Sequence, residues 1–76
     1  MSDTIVLDLR VMPPFERHTK IFETWGNLAS GGKIKIINDH DPKPLYYQFE
    51  AEYKGQFNWE YLENGPVDWS VVITKI

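Results

Sequence analysis

Two segments of the chain alternate between apolar and polar positions, as half-buried strands do. In residues 4–10 the alternate positions are isoleucine or leucine, and residues 33–37 alternate with β-branched side chains. Because successive side chains of a strand point to opposite faces, both segments are predicted to be strands with one buried face. We expect the first strand to end at Arg10 and the second at Ile37.

The segment between these strands has the periodicity of an amphipathic helix. It begins at a pair of prolines, and proline is tolerated in the first turn of a helix, where its missing N–H group costs nothing. The predicted helix covers residues 14–28, and the glycine pair at residues 31–32 turns the chain. Its expected apolar face consists of Phe15, Ile21, Phe22, Trp25 and Leu28.

A second helix is predicted in the middle of the chain. Asp41 lies at the expected N-cap, and Pro42 follows at the expected first helical position. Apolar side chains then recur every four residues, at Leu45, Phe49 and Tyr53. Gly55 is expected to end this helix.

The last segment predicts a hairpin, and the order of elements then defines the fold class. Residues 57–61 alternate, Asn64-Gly65 is a hairpin-turn signal, and residues 67–73 alternate on the return strand. The order β-α-β-α-β-β predicts an α+β fold, a two-layer α/β sandwich with two helices on one face of a four-stranded mixed sheet. The first two strands should be parallel, with a right-handed crossover. We expect residues 1–76 to form a single domain.

Composition narrows the classes of function. The chain has no cysteine, which excludes disulfides, thiolate metal sites and a thiol nucleophile. Its net charge of −3 argues against a nucleic-acid partner, because phosphate binding needs a basic patch. No apolar run approaches the roughly 18 residues of a membrane helix, and no basic-then-apolar leader opens the chain. We therefore expect a cytoplasmic protein with no membrane partner.

Three blocks of sequence resemble a family of small bacterial domains. The blocks are LDLR…PP.ERH..IFE, NDHDPKPLYYQFEAEY and F.WEYLE.GP..W.V.I, and the resemblance covers residues 5–75. The family has no known function and looks like a branch of the TusA/SirA-like group. Its members occur alone, in tandem, or attached to hemerythrin-like and cupin-like domains. The resemblance implies the same β-α-β-α-β-β sandwich.

The resemblance also bears on sulfur chemistry. TusA-like sulfur carriers have a Cys-Pro-x-Pro motif at the start of the first helix, where the helix N-terminus lowers the pKa of the cysteine. The corresponding stretch of this chain is Met12-Pro13-Pro14-Phe15. Because a thioether cannot become a thiolate, we expect that this chain is not a sulfur carrier.

Polar residues gather at the predicted carboxyl edge of the parallel strands. Both helices begin at that edge, ligands of open α/β sheets tend to bind beyond it, and helix N-termini have partial positive charge. The candidate binding residues are Arg10, Glu16, Arg17, His18, Asn38, Asp39, His40, Asp41 and Tyr47.

Structural roles would also explain these residues. Asp41 fits a plain N-cap, and Asn38 and Asp39 fit side chains that satisfy turn N–H groups. These assignments require no ligand.

The arginine and histidine candidates also have structural explanations that require no ligand. Arg10 could pair with Asp39 or Glu16, since bidentate arginine–carboxylate pairs organise polar clusters. His18 fits a partly buried histidine bonded to a backbone carbonyl or to Asp39, whereas His40 is expected to be exposed.

Three classes of function remain open. The first is a non-enzymatic binding or regulatory module for a protein partner or a small ligand, which supports a redox or metal-centred system; the resemblance implies a hemerythrin-like domain as partner. The second is a metal-binding protein that holds zinc or iron through His18, His40 and Asp39. The third is a small enzyme with a His–Asp pair as general base. The first class, which needs no cofactor, is the expected function.

Overall fold

Two α-helices and a four-stranded mixed sheet make up the structure, a computed structural model that describes residues 4–76. The strands are β1 (Thr4–Asp8), β2 (Lys33–Asn38), β3 (Phe57–Asn64) and β4 (Trp69–Lys75), and the helices are α1 (Pro14–Gly26) and α2 (Lys43–Tyr53). A short 3-10 helix, Leu9–Val11, follows β1. The predicted α+β class and the order β-α-β-α-β-β are confirmed.

The strands lie in the order β1-β2-β4-β3 across the sheet. β1 and β2 are parallel, and β4 runs antiparallel to both of its neighbours. In one row of the sheet Leu7 lies beside Ile36, and Ile36 beside Val71, and all three are buried. In the next row Val6 and Lys35 point to the opposite face, which we call the open sheet face.

Phe49 on α2 is the centre of the core. Its side chain has no exposed surface, and its ring lies 5.0 Å from the rings of Phe22 and Trp25 on α1 and 5.4 Å from that of Phe57 on β3. Aromatic pairs of this kind contribute about 0.5–1.5 kcal/mol each beyond the area they bury. The cluster joins both helices to the sheet, which matters in a chain of 76 residues because small domains bury a small fraction of their surface.

Three predicted features of the first half are wrong. β1 ends at Asp8 rather than Arg10, because the Asp8 carboxylate accepts a hydrogen bond from the Arg10 backbone N–H (3.1 Å) and the chain bends into the 3-10 helix. α1 ends at Gly26, before the predicted end at residue 28. Phe15 is 80% exposed instead of buried. It lies in the first turn of α1, on the outer face of the helix beside Glu16 and Thr19.

The hairpin loop is also longer than the Asn64-Gly65 signal predicts. β3 and β4 enclose residues 65–68, so Val67 lies in the loop and is 73% exposed instead of belonging to the return strand. Pro66 has no N–H group and cannot take part in a strand ladder, which explains why the strands separate there.

Lys75 near the end of β4 caps the C-terminal end of α1. Its Nζ donates hydrogen bonds to the carbonyl oxygens of Trp25 (2.9 Å) and Leu28 (2.8 Å) and lies 5.1 Å from the centre of the Trp25 ring. The Trp25 carbonyl belongs to the last turn of α1, where carbonyl groups have partial negative charge, and Leu28 lies in the loop that follows. The lysine therefore satisfies these acceptors and ties the last strand to the first helix.

Replacing Lys75 by methionine should lower the free energy of unfolding by about 1.5–3 kcal/mol, because Lys75→Met keeps the apolar stem but removes two hydrogen bonds from a charged donor. Urea unfolding followed by tryptophan fluorescence measures this loss. Lys54→Met, at an exposed position after α2, is the matched control and should have little effect. Equal losses in the two variants would contradict the capping role of Lys75.

Candidate functional site

A cleft opens at the edge of the sheet where β1 and β2 end and both helices begin. Its volume is about 430 Å³, a size typical of small-molecule sites. The buried Leu9 and Ile21 form its floor, and the exposed Asp39 and His40 lie at its mouth. The residues that line it are Leu9, Pro14, Arg17, His18, Ile21, Asn38, Asp39, His40, Pro42, Pro44, Leu45 and Gln48.

Arg17 organises the polar side of this cleft. Its Nη1 and Nη2 atoms donate to the two carboxylate oxygens of Asp39, over 3.1 and 3.3 Å. Its Nε donates to the carbonyl oxygen of Met12 (3.0 Å), and Nη1 also donates to Asn38 Oδ1 (3.1 Å). The Arg17 side chain is only 13% exposed. Because a planar guanidinium binds a carboxylate in a fixed geometry, the pair is preformed at the mouth of the cleft.

Asn38 holds the end of β2 in place. It is buried, and its Oδ1 accepts the Asp39 backbone N–H (2.9 Å) as well as the hydrogen bond from Arg17. The expected turn role of Asn38 is thus observed. The same oxygen also helps to fix Arg17.

Asp39 is an anion beside His40. Hydrogen bonds from the Arg17 guanidinium and from His40 Nδ1 (2.7 Å) lower the pKa of Asp39 to about 2. Because an ionised carboxylate only accepts hydrogen bonds, Nδ1 of His40 is the protonated ring nitrogen. His40 is exposed, as predicted. Its Nε2 has no hydrogen-bond partner within residues 4–76.

His18 lines the cleft from α1, with a different partner from the one expected. Its Nε2 lies 3.1 Å from Gln48 Nε2 on α2, and its ring stacks on Phe22 with the ring centres 4.7 Å apart. An amide nitrogen only donates, so His18 Nε2 accepts and the ring proton is on Nδ1. The predicted partial burial and the bond to a carbonyl or to Asp39 are wrong, because His18 lies on the side of α1 that faces α2 rather than β2.

The start of α2 offers few free donors to an anion. The Asp41 carboxylate accepts the first N–H of the helix (3.1 Å), the next residue, Pro44, has none, and the two N–H groups that follow bond to the Pro42 carbonyl (3.0 and 3.1 Å). The N-cap position is Pro42 rather than Asp41, because the Pro42 backbone, with ψ of 25°, is not yet helical. Asp41 still caps the helix from one residue earlier.

Asp41 also links α2 to the sheet. The Tyr61 hydroxyl on β3 donates to Asp41 Oδ1 over 2.9 Å. Burial and this hydrogen bond to a carboxylate raise the pKa of Tyr61. The Asp41 carboxylate is thus bonded to both α2 and β3, and Asp41 is not part of the lining of the cleft.

Arg10 lies away from the cleft. It forms a bidentate pair with Asp8 (2.9 and 2.7 Å) and reaches Asp68 in the β3–β4 loop (3.1 Å). The Asp8 carboxylate and then Asp68 raise the pKa of Arg10, and Arg10 lowers the pKa of Asp8. The expected pairing with Asp39 or Glu16 is wrong, because β1 ends two residues early and the 3-10 helix turns Arg10 back toward Asp8.

Two further candidates lie outside the cleft, and several lining residues were not predicted. Glu16 lies on the outer face of α1, and Tyr47 is 60% exposed on α2. Gln48, Leu45 and Pro44 line the cleft instead. Their spacing of three to four residues places them on one face of α2, a signal that the sequence already contains.

The proposed metal ligands do not form a metal centre. Within residues 4–76 no group of three or more histidine, aspartate or glutamate side chains is placed to hold a metal ion. Asp39 is paired with Arg17, and His18 bonds to Gln48. The geometry therefore does not favour zinc or iron binding by His18, His40 and Asp39.

Fold and cleft together define the class of the protein, an α+β two-layer sandwich with a preformed ion pair at the carboxyl edge of its parallel strands. The chain belongs to the family described as "Uncharacterized conserved protein (DUF2249)", whose model matches residues 6–75. Searches of curated proteins and of solved structures gave no significant match. Within residues 4–76 no helix is both long and apolar enough to span a bilayer.

Asp41→Ala should lower the free energy of unfolding by about 0.5–2 kcal/mol, since the variant removes a cap from α2. Tyr61→Phe removes the other partner of the same carboxylate. The double variant should lose less than the sum of the single losses, because both changes break one shared hydrogen bond. Tyr53→Phe, at the opposite end of α2, is the control and should be additive with Asp41→Ala. Additivity in both pairs, measured by urea unfolding, would refute the Asp41–Tyr61 link.

Asp39→Asn should remove an acid-sensitive part of the stability. The pKa of Asp39 is about 2 in the folded protein against an ordinary value of 3.8, so the unfolded chain binds a proton first as the pH falls. The ionised Asp39 therefore stabilises the fold above about pH 4, and this contribution is lost toward pH 2. The melting temperature of the unchanged protein should fall more steeply across this window than that of Asp39→Asn.

Glu52→Gln is the control for this pH experiment, because Glu52 is an exposed carboxylate on α2. It should keep the acid profile of the unchanged protein. An unaltered profile for Asp39→Asn would show that the Arg17–Asp39 pair contributes nothing to stability.

Proposed function

We propose that this protein is a non-enzymatic binding or regulatory module whose cleft holds a small organic ligand or a loop of a protein partner. The main support is the Arg17–Asp39 pair, which is preformed at the mouth of a cleft with an apolar floor. The two charges offset each other. Such a site favours a ligand that presents both a donor and an acceptor over a bare anion.

The two histidines extend the polar rim of the cleft. Nε2 of His40 is an acceptor in the neutral ring, and Nδ1 of His18 is a donor, as their tautomers require. A planar ligand with one donor and one acceptor would satisfy both nitrogens while its body covers Leu45 and Ile21. Small-ligand sites typically combine an apolar wall with a few fixed polar groups in this way.

The chemistry of the cleft supports binding over catalysis. Among the described residues, its lining includes no serine, threonine, tyrosine, lysine or cysteine to act as a nucleophile. Asp39, with a pKa of about 2, stays ionised and orients His40, which would be the base of a His–Asp pair. Because the lining offers no such nucleophile and the start of α2 has few free N–H groups to stabilise a developing anion, a His–Asp general base is the less favoured interpretation.

We extend the proposal to the wider relationships of the family. Met12 stands where TusA-like carriers have cysteine; its carbonyl accepts from Arg17 and its side chain packs against the core, which suits a structural role. The proposal includes a TusA/SirA-like ancestry without sulfur transfer, a cytoplasmic location and a single domain over residues 1–76. So does a hemerythrin-like domain as the redox or metal-centred partner.

Chemical-shift mapping tests the proposed binding site. Isotope-labelled protein would be titrated with planar heteroaromatic amides as probe fragments, and separately with a purified hemerythrin-like domain. We expect the largest shifts at Arg17, His18, residues 38–41 and Gln48, because these groups surround the cleft.

A pair of neighbouring variants sharpens this test. His18→Phe keeps an aromatic ring on Phe22 but removes the Nδ1 donor, and it should weaken fragment binding several-fold. Thr19→Val, on the outer face of α1, should bind as the unchanged protein does. Shifts that cluster on the open sheet face and leave His18 and His40 unmoved would overturn the proposal.

A further inference from the structure

The two outer strands of the sheet differ in how their edges are protected. β3 contains Glu60 and Glu63 and has a bulge between Tyr61 and Glu63, and both features discourage pairing with another strand. β1 has no proline or bulge, and its one charged side chain, Asp8, is the last residue of the strand and is paired with Arg10. Among residues 4–76 no strand pairs with the outer edge of β1. Its outward backbone groups are therefore an open template for a further strand.

The side chains along this edge are apolar and exposed. Val6 is 57% exposed on the open sheet face, and Ile5 is 39% exposed on the face that packs against the helices. Leu7, on the same face as Ile5, is at the limit of the core with 9% exposure. An added strand would cover apolar surface on both faces of the sheet.

We propose that β1 pairs antiparallel with β1 of a second copy of this chain, with the twofold axis at Val6. In this register Val6 faces Val6 of the second copy, and Ile5 faces Leu7 of the second copy. Each apolar side chain at the edge thus meets another one. The strand is complementary to itself, as an isologous interface requires, and the two sheets join into one continuous sheet.

In the same register each Asp8, besides its own partner Arg10, lies toward a lysine of the other copy. Thr4 then faces Asp8 of the second copy, and Lys33 lies beside Thr4 on β2, on the same face of the sheet. Two strand spacings, about 10 Å, separate the backbone of Lys33 from that of Asp8 of the second copy, and the two side chains shorten this gap. A slip of one residue would place helix-facing side chains of one copy beside open-face side chains of the other, and a slip of two would pair only three residues of each strand instead of five.

The geometry also limits the strength of the dimer. Only the five residues of Thr4–Asp8 pair on each side, which gives an interface below the roughly 1,200 Å² of stable complexes. The dimer should therefore dissociate on dilution. The twofold axis places the two carboxyl edges at opposite ends of the joined sheet, so both clefts stay accessible.

A single introduced cysteine tests the register, because the chain has none of its own. Facing residues of antiparallel strands have Cα atoms about 4.5–5.5 Å apart, within the range of a disulfide. Val6→Cys should therefore form a covalent dimer on mild oxidation. In this register the two copies of residue 5 are roughly 8 Å apart, too far for a disulfide. Ile5→Cys, and Val67→Cys in the exposed β3–β4 loop, should stay monomeric.

Light scattering over a dilution series measures the dimer without cross-linking. Val6→Lys places a charge on the edge and should abolish association, whereas Val67→Lys makes the same change in charge in the β3–β4 loop and should leave it intact. A monomer at the highest soluble concentration would overturn the proposal. Cross-linking of Val6→Cys no faster than that of Val67→Cys, or faster cross-linking of Ile5→Cys, would overturn it equally.

Discussion

The polar half of this molecule depends on one side chain, Arg17. It joins the Met12 carbonyl, just before α1, to Asn38 and Asp39 at the end of β2, so one guanidinium connects the entry and the exit of the β1–α1–β2 crossover. A planar fork fixes the direction from which a carboxylate approaches, as well as its charge. The position of Asp39, and through it that of His40, follows from this constraint. The mouth of the cleft is therefore a consequence of how the crossover is held together.

The apolar half has a different origin. The ring of Phe22 stacks on those of Phe49, with centres 5.0 Å apart, and Tyr53, with centres 6.1 Å apart, and these rings fill the space between the helices toward their C-terminal ends. Toward the start of the helices, prolines and Leu45 replace aromatic rings, and the helices no longer fill the space between them. His18 stacks at this boundary and is the last ring of the row. The cleft is thus the unfilled end of an aromatic interface.

Periodicity predicted the elements well because a small core requires one buried face on each of them. The order of elements, the parallel pair and the burial of Phe49 all follow from that requirement. The bonding partners of side chains that lie far apart in the sequence did not follow from this pattern. Nothing in the pattern distinguishes Arg10 from Arg17 as the partner of Asp39, and the choice depends on the turn that the Asp8 side chain makes with Arg10. The position of the cleft could be predicted from the sequence. The Arg17–Asp39 pair within it could not, because it depends on the path of the backbone after β1.

The start of α2 has a consequence for selectivity. Its early N–H groups are already bonded or, at Pro44, absent, and the neighbouring ion pair has no net charge. Inorganic anions that are abundant in cells would find little to bind there, although helix N-termini commonly attract them. Attraction that does not depend on net charge is also hardly screened by salt. A ligand of this cleft would be recognised by its shape and its hydrogen-bonding pattern, at low and high ionic strength alike.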